Sequence, residues 1–163
     1  MRGARLAVLA VAVVGAVLAL RAFVVEPFAI PSESMAPTLR PGDRVLVDKL
    51  ASVHRGDLVV FHAPRSRTIE LKRVVAVGGD TVAIEDGVLL VDGRRRAEPY
   101  ADARAIDSVY FGPVRVPRGS LFVLGDNRAN SADSRAFGAL PARDVIGRAR
   151  ARVWPPARWG APR

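Results

Sequence analysis

The sequence contains no cysteine, so the chain can form neither a disulfide nor a thiolate metal site, and its redox compartment stays open. The zinc-protease pattern HExxH is also absent, which argues against a zinc hydrolase. Histidine is scarce: His54 lies in a turn and His62 at the end of an expected strand, and neither has the surroundings of a catalytic triad. We therefore expect a protein that needs no metal and no cofactor.

Aromatic residues make up only 6% of the chain, too few for an obvious surface on which nucleic-acid bases could stack. The balance of 25 Lys+Arg against 16 Asp+Glu gives a net charge of +9, which would suit either nucleic acid or an anionic membrane. Lysine is rare, with only Lys49 and Lys72, and no zinc-finger or glycine-rich RNA-binding pattern is present. These features argue against a nucleic-acid partner.

One long apolar run lies at the N-terminus. Residues 6–20 are apolar without interruption, and the apolar character resumes after Arg21. A helix over residues 6–25 would be about 30 Å long at ~1.5 Å per residue, which matches the hydrocarbon core of a bilayer. Arg2 and Arg5 precede the run, so the positive-inside rule places the N-terminus in the cytoplasm. The sequence thus predicts a single-pass helix in the cell membrane.

A cleavable signal peptide would satisfy the same pattern. We favour an uncleaved anchor, because cleavage near Ala19 would release the rest of the chain from the membrane that its serine-containing segment closely follows. The predicted organisation is a cytoplasmic N-terminus and transmembrane anchor over residues 1–25, followed by one extracytoplasmic domain over residues 26–163. Membrane lipids are the partner that this predicts, and Trp154 and Trp159 would either rest at the membrane interface or cap the core.

Beyond residue 40 the chain consists of short apolar runs separated by glycine, proline and aspartate, with no convincing helical period. Residues 85–87, Glu-Asp-Gly, separate two of these runs and are typical of a hairpin turn. The pattern predicts a mainly β domain with an antiparallel sheet. The predicted strands are residues 44–48, 58–61, 69–77, 81–84, 88–91, 114–116, 120–124 and 145–153.

Two stretches of this domain need separate interpretation. Residues 92–113 are charged and rich in turn residues, which indicates a solvated excursion rather than a second domain. In the last strand a period of two puts Arg148, Arg150 and Arg152 on one face. These arginines form either a solvated sheet edge or a basic stripe that faces anionic lipid.

Residues 28–39 are the segment on which a catalytic function would depend. Pro31 and Pro37 flank Ser32 and Ser34 and prevent the backbone from continuing a helix, so Ser34 lies on a stiff loop. A serine between prolines is also ordinary turn chemistry. These residues alone leave both interpretations open.

A nucleophilic serine needs a base, and Lys72 is a candidate. It lies inside the apolar run of residues 71–77. A lysine in such a strand either turns outward to water or is buried at a cost. Because burial disfavours the charged form, a buried lysine can lose its proton and act as a general base.

Four motifs follow one another behind the apolar run. They are IPSESMAPTL (residues 30–39) with Gly42 and Asp43, RGDLVVF (residues 55–61), LKRVV (residues 71–75) with Gly79 and Asp80, and GDNRANSADSR (residues 125–135). Together they resemble the motifs of bacterial type I signal peptidases. The resemblance implies a membrane-bound serine endopeptidase with a Ser/Lys dyad, which removes signal peptides from exported preproteins after Ala-X-Ala sites. It also implies an antiparallel β fold of the signal-peptidase and LexA-like type.

By that resemblance Ser34 is the nucleophile and Lys72 is the general base. The Ser32 hydroxyl and the Ser34 backbone N–H would form the oxyanion hole, and such donors contribute about 2.7 to 4 kcal/mol of transition-state stabilisation. The loop of residues 125–135 would support the dyad: the Ser131 hydroxyl would orient the lysine, and two Asp–Arg pairs would hold the loop in place. The pairs are Asp133 with Arg135 and Asp126 with Arg73.

One position of this loop departs from the family. Ala129 stands where aspartate is common, which bears on pairing within the loop rather than on the dyad. The resemblance also implies small apolar pockets that accept alanine side chains of the substrate, and a substrate strand that lies between residues 28–32 and the strand carrying Lys72. The apolar residues expected to line these pockets, each of which could equally be plain core, are Phe28, Ile30, Met35, Leu39, Val45, Val60 and Leu71.

Two other functions compete with this one. A self-cleaving repressor of the LexA-like class shares the dyad and a related β fold, but it needs an N-terminal helix-turn-helix where this chain has its apolar run. A noncatalytic β module that binds anionic lipid or an envelope partner would leave Ser34 and Lys72 merely structural. Cleavage of a preprotein discriminates among the three.

Overall fold

A computed structural model describes residues 2–64, 66–101 and 110–162. The chain is built mainly of antiparallel strands, so the predicted β class is confirmed. The strands are β1 (Val25–Ala29), β2 (Arg44–Asp48), β3 (Leu58–His62), β4 (Ile69–Val77), β5 (Thr81–Glu85), β6 (Val88–Val91), β7 (Arg94–Arg95), β8 (Phe111–Arg115), β9 (Ser120–Leu124), β10 (Leu140–Pro141) and β11 (Val145–Trp154). The helices are α1 (Arg2–Phe23), the single turn α2 (Ser134–Phe137), and 3-10 turns at Glu33–Met35, Ala142–Asp144 and Pro156–Arg158.

The strands form two sheets. Seven strands make the larger sheet in the order β1-β2-β11-β3-β4-β9-β10, and four make the smaller one in the order β7-β6-β5-β8. The turn between β4 and β5 joins the two sheets, and the Val77 backbone N–H donates to Asp80 Oδ2 there at 2.7 Å. Three strands, β1, β7 and β10, are not among those predicted, because β1 contains a proline and the other two are only two residues long.

Strand β3 shows why the larger sheet is buried on both faces. Leu58 and Val60 pack into one core cluster, whereas Val59 and Phe61 pack into another on the opposite face. This burial explains why β3 is a continuous apolar run rather than an alternating one. The first of these clusters also contains Met35, so the serine-containing segment is packed directly on the larger sheet.

Residues Arg2–Phe23 form helix α1, where the sequence predicts a transmembrane anchor. By length and hydropathy, no helix in the described part of the chain qualifies as one able to cross a membrane. The helix itself is therefore observed, but its membrane-spanning character is not. Between residues 8 and 18 its larger apolar side chains are mostly exposed, for example Val11 at 73%.

The arginines of β11 correct one expectation. β11 lies between β2 and β3, inside the larger sheet, so it is not an edge strand. Irregularities in its pairing with β2 interrupt the simple alternation of its side chains. Its three arginines each lie beside an aspartate rather than forming an unpaired stripe: Arg148 pairs with Asp57 at 3.1 Å, Arg150 with Asp48 at 3.2 Å and Arg152 with Asp43 at 3.7 Å.

The stretch of residues 92–113, predicted as a solvated excursion, is partly ordered against the body of the protein. β7 pairs with β6 and β8 pairs with β5. Glu98 is nearly buried, with 9% of its side chain exposed, because it contacts an arginine of the loop near the serine. Residues 102–109 lie outside the described residues.

Candidate active site

Ser34 lies in the 3-10 turn Glu33–Met35, shortly after β1. The Met35 side chain is buried in the core and anchors this turn to the larger sheet. On the other side, the Ser34 carbonyl accepts a hydrogen bond of 3.1 Å from the Asn127 backbone N–H. Both the core and the loop of residues 125–135 therefore hold the serine in place.

Lys72 lies in β4 with its side chain buried, and only 4% of the residue is exposed. Its Nζ donates to Ser34 Oγ at 3.0 Å. Ser32 Oγ donates to the same Ser34 Oγ at 3.2 Å. The structure thus brings together the three residues that the sequence nominates for nucleophile, base and oxyanion donor.

A second group contacts the lysine amine. Glu70 lies on the same face of β4, because side chains alternate along a strand, and its Oε2 is 3.3 Å from Lys72 Nζ. The Ser131 hydroxyl, which was expected to orient Lys72, is buried and has no hydrogen-bond partner among the described residues. The expected hydrogen bond between Ser131 and Lys72 is therefore not formed, and Ser34 and Glu70 hold the amine instead.

The loop of residues 125–135 approaches the serine turn closely, and Gly125 permits this approach. A Cβ atom at this position would lie 2.6 Å from the Ser34 carbonyl oxygen. The Gly125 backbone N–H donates to the buried carboxylate of Asp133 at 3.0 Å. Asp133 in turn accepts a hydrogen bond of 2.8 Å from Arg135 Nε. This ion pair lies within the loop and stabilises its conformation.

Asp126 ties the loop to β4 and to the serine-containing segment. Its buried carboxylate accepts two hydrogen bonds from the Arg73 guanidinium, at 2.9 and 2.7 Å, in a bidentate arrangement. Thr38 Oγ1 donates to the same carboxylate at 2.6 Å. A single buried carboxylate thereby links three separate segments around Ser34 and Lys72.

Glu98 and Tyr100 also support this loop, and the sequence does not single them out. Glu98 accepts two hydrogen bonds from Arg128, at 2.7 and 2.5 Å, and one from the Tyr100 hydroxyl at 3.0 Å. Burial and the adjacent Glu98 carboxylate raise the pKa of Tyr100 above its usual range, so the hydroxyl remains a donor. The Tyr100 ring also stacks on the guanidinium of Arg73, 3.8 Å from the ring centroid.

A cleft of about 350 Å³ opens beside Ser34 and Lys72. Residues 30–35 line one part of it and residues 68–72 of the β4 region line another, with Asn130 and Ala132 contributed by the loop. β9 pairs with β4 only from Arg73 onward. Within the described chain, the β4 residues before Arg73 therefore pair with β3 alone and have an open edge along the cleft.

The family model described as signal peptidase, peptidase S26, matches residues 3–154. The chain belongs to this family. Signal peptidase I of Mycobacterium tuberculosis (strain CDC 1551 / Oshkosh) is 39% identical over 218 aligned residues, which cover 96% of this chain and 74% of that protein. A probable signal peptidase I-1 of Synechocystis is 41% identical over 157 residues, covering 88% of this chain and 78% of that protein.

A crystal structure of a signal peptidase I from Enterococcus faecalis V583 is similar in fold. Its TM-score is 0.54 at 30% identity, and the match covers 60% of this chain and 97% of that one. Membership in the signal peptidase family makes the chain a serine endopeptidase. The competing assignment as a noncatalytic lipid-binding module is thereby set aside.

In this signal peptidase, the seven apolar residues predicted to line substrate pockets divide into three groups. Ile30, Met35 and Leu71 line the cleft. Phe28 and Val60 line a separate apolar cavity of about 30 Å³. The remaining two, Leu39 and Val45, are fully buried in the core, so their predicted place in a pocket is corrected.

Several residues that line the cleft were not singled out in the sequence, and three of them come from the β4 region. Thr68, Ile69 and Glu70 precede Lys72 and line the cleft, and Ile69 is 45% exposed. The only sequence feature that could have identified these three residues is their position shortly before Lys72, the predicted general base. In the described residues, no group of three His, Asp or Glu side chains is arranged to hold a metal ion.

Proposed function

We propose that this chain removes signal peptides from exported preproteins with a Ser/Lys dyad, in which Ser34 is the nucleophile and Lys72 the general base. The observation that carries the proposal is the 3.0 Å contact between Lys72 Nζ and Ser34 Oγ, both in buried side chains beside an open cleft. A base must lie within hydrogen-bond reach of the proton that it removes, and this pair meets that condition.

The chemistry follows from this geometry. Neutral Lys72 accepts the Ser34 hydroxyl proton while Oγ bonds to the carbonyl carbon of the scissile peptide. The carbonyl oxygen becomes an oxyanion, which the Ser34 backbone N–H and the Ser32 hydroxyl stabilise. Lys72 then passes its proton to the leaving amine, and the C–N bond breaks to leave an acyl-enzyme. Water hydrolyses this ester by the same proton transfers and restores Ser34.

The Ser32 hydroxyl lies where it can change partner during this sequence. In the resting structure it donates to Ser34 Oγ at 3.2 Å. When Oγ bonds to the substrate carbon, the same hydroxyl is released to donate to the new oxyanion. Rotation about a single bond suffices for this exchange, because a serine hydroxyl turns freely.

We infer that substrate binds as an extended strand along the open edge of β4, between this edge and residues 28–32. Ile30, Met35 and Leu71 give the cleft an apolar lining. A shallow apolar site of this kind rejects bulky side chains by overlap and accepts alanine, which fits cleavage after Ala-X-Ala.

We further propose that the enzyme acts at the cell membrane, with α1 as its attachment, its N-terminus in the cytoplasm and the β domain on the extracytoplasmic side. The support is the row of exposed apolar side chains on α1, including Val8, Val11 and Leu18. Exposed apolar side chains of this number are costly in water and favourable in lipid. Attachment at this point would keep Ser34 near the membrane surface, where a signal peptide arrives.

The experiment is cleavage of a preprotein by the purified chain in detergent, with the products identified by mass spectrometry. We expect a single cut after an Ala-X-Ala sequence, and no product from Ser34→Ala. Ser120→Ala, which removes a hydroxyl from β9 away from the cleft, should cut like the wild type. Absence of cleavage by the wild type, or undiminished cleavage by Ser34→Ala, would refute the assignment.

A further inference from the structure

Glu70 is the one charged side chain in the described residues that contacts the Lys72 amine. Its Oε2 lies 3.3 Å from Nζ, and the two side chains share a face of β4. The carboxylate is 26% exposed at the cleft, whereas the lysine side chain is only 5% exposed. The base is therefore buried, but its charged neighbour can be reached by water and by a bound peptide.

The other charged groups around the dyad do not balance the lysine. On β3 the residue paired with Lys72 is Val59, which carries no charge. From the serine turn, Glu33 lines the cleft but makes no ion pair with Lys72. The two aspartates of the loop of residues 125–135 form ion pairs with arginines instead: Asp126 pairs with Arg73, and Asp133 pairs with Arg135. Among the described residues, Glu70 alone is left to neutralise a Lys72 ammonium.

We propose that Glu70 is a positioning residue that holds the Lys72 amine in its protonated form while the cleft is empty, and thereby sets the pH below which the peptidase is idle. The inference rests on the proposed Ser/Lys dyad. A carboxylate at hydrogen-bond distance stabilises an ammonium relative to the neutral amine. Lys72 must release one proton to solvent before it can accept the proton of Ser34. With Glu70 beside it, this release requires a higher pH.

Glu70→Gln isolates the effect of charge, because the amide keeps an acceptor oxygen in place and removes the negative charge. Without that charge the ammonium is less stable, so Lys72 loses its proton at lower pH. We expect the acid limb of the pH profile of kcat/KM to move to lower pH. Glu70→Asp, which keeps the charge, should leave the acid limb near its wild-type position.

The composition allows a direct measurement that does not depend on activity. The chain has only two lysines, Lys49 and Lys72, so lysine labelled with ¹³C at Cε gives two NMR signals, which Lys49→Arg assigns. In Glu70→Gln the Lys72 signal should titrate at lower pH than in the wild type, while the Lys49 signal should not move. Glu26→Gln is the matched control, because it removes an equal charge 2.6 Å from Lys49 and should leave the Lys72 midpoint unchanged.

The two readouts separate this inference from the proposed function. An unchanged Lys72 midpoint in Glu70→Gln overturns the role of Glu70, whatever the activity. A shifted midpoint in a chain that cuts no preprotein shows that Glu70 stabilises the ammonium, but it overturns the dyad and with it the role of Glu70 in the pH dependence of cleavage. If Glu70→Gln does not fold, Glu70→Ser removes the same charge and carries the same expectation.

Discussion

At the scale of single residues, the site combines one contact between distant parts of the chain with two contacts between near neighbours in sequence. Ser34 and Lys72 are separated by 38 positions but meet at 3.0 Å. Ser32 reaches the same Oγ from two positions away. A charge-bearing contact, Glu70 to Lys72, completes the group. The function proposed here therefore rests on Ser34, Lys72 and Ser32, which come from two segments, and Glu70 adds a charged contact to the lysine.

Ser32→Ala tests the proposed oxyanion donor. Removal of the hydroxyl should lower kcat by roughly a hundredfold or more, because this donor acts only on charge that develops in the transition state. KM should change little for the same reason. Steady-state kinetics on a fluorogenic peptide measures both constants. A variant with wild-type kcat would show that Ser32 has no part in stabilising the oxyanion.

Residue patterns made Ser34 and Lys72 candidates because each has a local signal, and the family resemblance then assigned their roles. Ser34 lies between prolines, and Lys72 interrupts an apolar strand, where an inward-facing lysine is unusual. Glu70 and Glu98 have no such signal, since an acidic residue near a strand end or in a charged stretch is ordinary. Only the fold shows that Glu70 contacts Lys72 and that Glu98 contacts Arg128.

At the scale of elements, β4 and the loop of residues 125–135 form one unit through the pair of Arg73 and Asp126. Arg73 follows Lys72 in β4, and its guanidinium forms an ion pair with the fully buried carboxylate of Asp126. The same carboxylate holds Thr38, just beyond the serine turn. Removal of either side chain of the Arg73–Asp126 pair should therefore lower both the stability and the catalytic activity of the protein.

Arg73→Met leaves a buried carboxylate without its cation and should lower the free energy of unfolding by about 3 to 5 kcal/mol. Arg55→Met is the matched control, because Arg55 pairs with Asp80 at the surface at 2.7 Å and such pairs contribute less than about 1 kcal/mol. Urea unfolding followed by circular dichroism compares the two. Equal losses in both variants would contradict the structural role given to Asp126.

Strand positions were predicted well where turn residues border an apolar run, as at β2, β4 and β6. The place of β11 was not predicted, because strand order depends on pairing between distant segments rather than on local pattern. β11 pairs with both β2 and β3 in the interior of the sheet, and its arginines lie beside aspartates on those neighbours and nearby turns.

At the scale of the whole molecule, the chain segment after β7 connects the smaller sheet to the loop that supports the site. The segment that follows β7 carries Glu98 and Tyr100 back to the loop of residues 125–135, so the smaller sheet contributes to the support of the larger one. At the other end of the chain, α1 precedes β1, and the serine turn follows β1 directly. The site is thus close in sequence to the proposed membrane attachment.

A vesicle experiment tests this attachment. The whole chain should float with vesicles of mixed neutral and anionic lipid, and deletion of residues 2–23 should abolish flotation because the exposed apolar side chains are lost. The shortened chain should still cut a soluble peptide, since the described residues that line the cleft all lie outside α1. Flotation of the shortened chain to the same extent would assign membrane binding to the β domain instead.

The central claim is that Lys72 is the base, and the most direct test compares the two lysines of the chain. Lys72→Met and Lys49→Met each remove one amine, but only the first removes the amine 3.0 Å from Ser34 Oγ. We predict that kcat/KM for preprotein cleavage falls at least about a thousandfold in Lys72→Met and stays near wild type in Lys49→Met. Wild-type cleavage by folded Lys72→Met would contradict the dyad.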